Sequence, residues 1–174
     1  MMSIEELLSS PDRRGYAAMP ETDALVEVDG LQEADLVDVR FDADAGSLVL
    51  LFDLRTALQF RLANTAVLVM RDVEEVRWFS KEERGDRRTA HYVMSSNPTT
   101  REGRFVFELV CLRGWDLSAV SSSAEFFVGD VPDLPSAPPN FVEDDERAIA
   151  MGMPAWRSMF KPEWATFLDS TEPR

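Results

Sequence analysis

From Leu36 onward the chain alternates apolar and polar residues with a period of two. In "LVDVRFD" the residues Val37, Val39 and Phe41 share one face, and Asp38, Arg40 and Asp42 share the other. That pattern predicts a half-buried strand. "ADAG" follows as a turn, with Gly46 free to take a positive φ. "SLVLLFDL" is apolar on both faces, as a more central strand is, so the two runs predict a hairpin. Further strands are predicted at "ALQFRL", "TAVLVMR", "VEEVRWF", "TAHYVMSS", "RFVFELVCL" and "SAVSSSAEFFV", with an edge strand at "ALVEV" (Ala24 to Val28). "SKEERGDRR" (Ser80 to Arg88) reads as a charged hairpin tip and "NPTTREG" (Asn97 to Gly103) as a loop. About seven or eight short strands separated by turn signals predict a mainly β fold of the α+β kind. Its form is an antiparallel sandwich or a strongly curved sheet.

The two ends of the chain follow a helical pattern instead. Ser3, followed three residues later by Glu6, makes a capping box ahead of the stripe Ile4, Leu7 and Leu8. "VPDLPSAPPN" holds four prolines in ten residues and predicts a stiff connection, not a strand. "VEDDERAIAMGMP" predicts a helix with acids in its first turn, Gly152 just past its end and Pro154 as a stop. In "MGMPAWRSMFKPEWATFL" the sets Trp156, Met159, Phe160 and Trp164, Phe167, Leu168 recur at helical spacing on either side of Pro162. Two or three C-terminal helices packed on the sheet are therefore expected. Their apolar residues Trp156, Met159, Phe160, Trp164 and Phe167 serve as core or as an interface to a partner or second copy. The layout is one domain over 1–174. It has an N-terminal helix and irregular lead-in (1–34), a β core (35–130), a proline-rich connection (131–140) and a helical tail (141–170).

With 174 residues the chain is long enough to bury a core of its own. The net charge of -14 changes the picture more than the length does. It is uneven: residues 1–50 carry 3 basic and 12 acidic side chains, and residues 101–174 carry 7 and 13. Phosphate binding wants an excess of Lys and Arg, so nucleic acid and an anionic membrane surface are poor partners. A basic protein is the partner that such a surface fits. No apolar run approaches the roughly 20 residues of a membrane-spanning helix, and "MMSIEELLSS" has neither a basic start nor an apolar h-region. The expected compartment is the cytoplasm.

The usual catalytic signatures are missing from the sequence: no phosphate loop, dinucleotide turn, nucleophile elbow or zinc-protease helix motif. His91 is the only histidine and Cys111 the only cysteine, and both read as structural, Cys111 on the apolar face of a strand. No catalytic residue, metal or cofactor is therefore expected. "DADAG" (Asp42 to Gly46) begins like a calcium loop, but position twelve falls on Asp53 inside a strand, so a tight turn explains it better. "EDDE" (Glu143, Asp144, Asp145, Glu146) reads as a charged helix start or as a docking patch for Arg and Lys.

At "LQEADLVDVRFDADAGSLVLLFDL" and "TAVLVMRDVEEVRWF" the chain resembles small bacterial immunity proteins of polymorphic toxin systems. Val73 and Val76 fill the short "x-V-x-x-V/L" segment of those proteins. Ala34-Asp35 stands where they often carry His-Asp. The resemblance covers about residues 31–128 and implies an inhibitor that binds a toxin protein. The functional expectation is thus a non-enzymatic acidic protein-binding module, with Asp35, Asp38, Asp42 and Asp44 as first contact candidates and Glu143 to Glu146 as second. Two alternatives stand beside it. One is an accessory protein that self-associates, as a homodimer for instance. The other is a small-ligand binder or enzyme using the space between sheet and tail, with Trp156 or Trp164 lining it.

Overall fold

Two sixteen-residue strands, β4 (Thr65–Ser80) and β7 (Trp115–Asp130), set the geometry of the protein, described here for residues 1–10, 15–81 and 89–169 of a computed structural model. They pair antiparallel along their whole length, from Thr65 opposite Gly129 to Ser80 opposite Trp115. The hairpin of β2 (Asp35–Asp42) and β3 (Ser47–Asp53) adds to the first half of β4, up to Arg71. The hairpin of β5 (His91–Arg101) and β6 (Arg104–Cys111) adds to the first half of β7, and β8 (Met159–Asp169) covers its second half. A two-residue strand β1 (Met2–Ser3) extends β8. β2 and β5 meet through two residue pairs, Asp35 with Tyr92 and Leu36 with His91. Because β6 also pairs with β7, the order β4-β3-β2-β5-β6-β7 closes on itself. The expected mainly β, antiparallel fold is present, but as one eight-stranded sheet curled into a ring.

Closure gives the sheet an inner and an outer apolar face, which is why so many strands are apolar at every position. Leu48, Leu50, Phe52, Leu68, Met70, Phe105, Phe107 and Phe126 point inward, joined by Ala24, Leu25, Leu31, Leu54 and Phe60 from the irregular segments. Val49, Leu51, Val67, Val69 and Phe127 point outward, under Ile4, Leu7, Ile149, Met153, Trp156 and Phe160. The N-terminal helix α1 (Ile4–Ser9) carries the expected capping box: Ser3 Oγ accepts from the Glu6 N–H, and Glu6 Oε2 accepts from the Ser3 N–H at 2.7 Å. The proline-rich stretch after β7 is a connection without strand, as its composition requires.

The structure corrects several expectations. The C-terminal helices reduce to one, α2 (Glu146–Met151), capped by Asp145. Its closing residue Gly152 has φ -85, not a left-handed value. Met159 to Asp169 form β8. Trp164, Phe167 and Leu168 have helical spacing, yet they sort by strand parity: Trp164 and Leu168 pack on the inner cluster, Phe167 on the outer one. A strand buried on both faces mimics a helix in a short window. The close approach of β8 also explains Gly129, where a Cβ would lie 2.1 Å from the Lys161 carbonyl oxygen. "ALVEV" forms turns, and "ALQFRL" forms irregular structure after Asp53. "NPTTREG" is strand up to Arg101, leaving Glu102 and Gly103 as its turn. Pro98 is tolerated there because, among the described residues, this part of β5 pairs with β6 on one side only. "TAVLVMR" and "VEEVRWF" are one strand, bulged between Val73 and Glu75. Residues 82–88, most of the charged tip, lie outside the described residues.

Candidate binding site at the open side of the sheet

The ring is least complete where β2 meets β5. Among the described residues, β2 has partners on its second edge only at Asp35 and Leu36, and β4 runs on past β3 after Arg71. A cavity of about 880 Å³ opens between these two edges. Leu36, Leu48 and Leu117 from the inner core form its floor, with Val76 beside them. Trp78, Trp115 and Phe41 line its sides, and Ala155, Trp156 and Arg157 close it from the segment after α2.

A bulge in β2 decides which side chains stand here. Leu36 faces Phe52 and Asp38 faces Leu51, so Val37 is the extra residue. The strict alternation expected for this strand is therefore broken. Val37 joins the outer cluster, while Val39 packs on the inner one. Asp38 and Arg40 come out on the outer side, beneath the chain returning from α2. There Asp38 Oδ2 accepts a hydrogen bond from the Trp156 Nε1–H at 2.7 Å. The Arg40 guanidinium lies 4.5 Å over the Trp156 ring and donates to Glu5 Oε1 at 2.7 Å. Trp156 is thus held on its edge by a carboxylate and on its face by a cation. Across the cavity, His91 stacks on Trp115 with ring centres 4.8 Å apart. Arg157 is exposed and forms no ion pair with the other described residues.

The eight acidic candidates do not converge on one patch. Asp35 is half-buried at the β2–β5 seam, opposite Asp53. Burial pushes its carboxyl up to about 6, the Asp53 charge adds to this, and Arg55 acts against it. Asp38 is engaged by Trp156. Asp42 accepts from the N–H groups of Asp44 and Ala45, both at 3.0 Å, and Gly46 has φ +60, so "DADAG" is a side-chain-capped turn. Asp44 is exposed in that turn. Glu143 and Asp144 clasp Asn140, Asp145 caps α2 by accepting from Ala148 at 2.7 Å, and Glu146 is exposed in the first turn of the helix. Of the tail residues, Trp156 and Phe160 are core, Trp164 and Phe167 are partly buried against it, and Met159 faces solvent. Trp156 lines the cavity; Trp164 does not.

Sequence reasoning missed Arg40, Arg157, Phe41, Trp78 and Trp115 as site residues. It also missed the buried pair Asp53 and Arg55. An aspartate ending the apolar run "SLVLLF", with an arginine two residues on, was the available signal for that pair. Cys111 is buried as its strand position required, and burial, with Asp116 and Asp35 nearby, pushes its thiol up to about 12. Among the described residues, no three His, Cys, Asp or Glu side chains are grouped to hold a metal ion, and no helix is long and apolar enough to cross a membrane.

No protein-family model matches the chain, and no curated protein matches it. A crystal structure of an uncharacterized protein from Neisseria gonorrhoeae is similar to it at a TM-score of 0.40 and 10% sequence identity, over 55% of this chain and 90% of that one.

Proposed function

We propose that this chain is a non-enzymatic protein-binding module, an inhibitor of the immunity type, that receives a basic partner at the rim of the cavity. One observation carries the reading. Phe41 and Trp78, on the cavity rim, are 55% and 62% exposed. Large aromatics left in water around a concave surface are the usual anchors of a protein interface. Asp42, Asp44 and Asp72 are exposed at the Phe41 end of the rim, where the β2–β3 turn meets β4. They supply the local part of the acidic field that steers a basic protein in.

Affinity capture of the tagged protein from its native lysate, at low and then high salt, tests this. The expected result is one abundant basic protein that elutes with salt. It is no longer retained by a Phe41→Ser, Trp78→Ser double variant with an unchanged circular dichroism spectrum. Recovery of the bait alone overturns the reading, as does a partner that the double variant and high salt leave in place.

A further inference from the structure

The floor beneath the rim has the make-up of a small-molecule site. Its volume of about 880 Å³ is that of a drug-sized ligand pocket. Three of the four tryptophans line it, Trp78 and Trp115 on the side of Leu36, Leu48 and Leu117, and Trp156 at the outer edge beneath Arg40. Flat apolar walls of this kind suit a flat apolar body. The charged and titratable groups that face the cavity are Glu5, Asp38, Arg40, Arg157 and His91. Both acids are already engaged, Glu5 by Arg40 and Asp38 by the Trp156 indole. Arg157 is the charge left over, with no carboxylate within ion-pair distance among the described residues. Trp156, fixed on edge and face, needs no ordering when a ligand arrives, which removes part of the cost of binding.

We infer that the cavity binds a small amphipathic anion, a flat apolar body carrying one carboxylate, with the body against Trp78 and Trp115 and the carboxylate on Arg157. A guanidinium and a carboxylate make paired, charge-assisted hydrogen bonds that a neutral hydroxyl does not reproduce.

The probes are 2-naphthoic acid and 2-naphthalenemethanol, which share a body and differ in charge. Each is titrated into the full chain by isothermal calorimetry at low salt, with the indole N–H signals followed by NMR. The acid is expected to bind about tenfold more tightly than the alcohol, the worth of one good charge-assisted contact. The indole signals of Trp78, Trp115 and Trp156 move, and that of Trp164 stays. Arg157→Gln brings the two affinities together, while Arg157→Lys keeps the acid ahead. Arg157 is exposed, so these variants leave the core alone. Equal binding of acid and alcohol overturns the inference. So does an absence of saturation up to millimolar acid, or a preference that survives in Arg157→Gln.

Discussion

Replacing Asp35 by asparagine should make the protein more stable near neutral pH and leave it little changed in acid. Asp35 stands directly opposite Asp53 on β3 and opposite Tyr92 on β5, at the two-pair seam that closes the ring. Arg55 lies close by but has nothing left to give. Its Nε–H bonds both oxygens of Asp53, Nη1 donates to the carbonyls of Pro135 and Ala137 at 2.7 and 2.9 Å, and Nη2 serves Asp53 and the Gly152 carbonyl. All five guanidinium donors are used. Asp35 is therefore a carboxylate pushed out of water beside a like charge, and its pKa rises from 3.8 to about 6. At about 1.4 kcal/mol per unit, such a shift amounts to about 3 kcal/mol. Residual solvent contact at this half-buried group screens part of it, leaving about 1–2 kcal/mol.

The sign follows from proton uptake. The folded protein holds this proton more tightly than the unfolded chain, so its contribution to stability is complete below pH 3.8. It falls as pH rises from 3.8 to about 6, and above that the loss is constant. Urea unfolding of the wild type and of Asp35→Asn, followed by circular dichroism at half-unit steps from pH 4 to 8, measures it. The variant is expected to gain about 1–2 kcal/mol at pH 7.5, about 2–8 °C in Tm, and close to nothing at pH 4. A difference independent of pH, or one that favours the wild type at pH 7.5, refutes the reasoning.

Arg55→Met strands the buried Asp53 charge and releases the connection after β7, so it should cost about 3–5 kcal/mol in urea unfolding. Asp53→Asn in the same chain should recover part of that loss. A chain ending at Ala150 loses β8 and with it Trp156, Phe160 and Ala165 from the outer core. It should show no cooperative thermal transition by calorimetry, whereas a surface-only tail would leave the transition in place. The Cys111 thiol, buried and pushed up to about 12, should resist alkylation by iodoacetamide at pH 8 in the native protein and react at once in 6 M guanidinium, read by mass spectrometry.

Local pattern alone determined the parts of this protein whose physics is local. The β2–β3 hairpin with its Gly46 turn, the Ser3 and Glu6 capping box, the proline-rich connection and the burial of Cys111 each depend on neighbours within a few residues, or on one strand face. Charge could be read from the sequence as a total, but not as a surface. Asp42 and Asp145 look free in sequence and spend themselves on turn and helix N–H groups. The identity of β8 needed the tertiary structure, because Trp164, Phe167 and Leu168 fit a helix until β7 offers an edge and both faces are covered. The bulge at Val37 arises from pairing with β3, and it turns Arg40, and Asp38 from 118 residues away, under Trp156. Ring closure through β6 and β7 creates the inner face, the incomplete side and the cavity together. No window of sequence contains a contact between its two ends, so the candidate site belongs to the fold rather than to any motif.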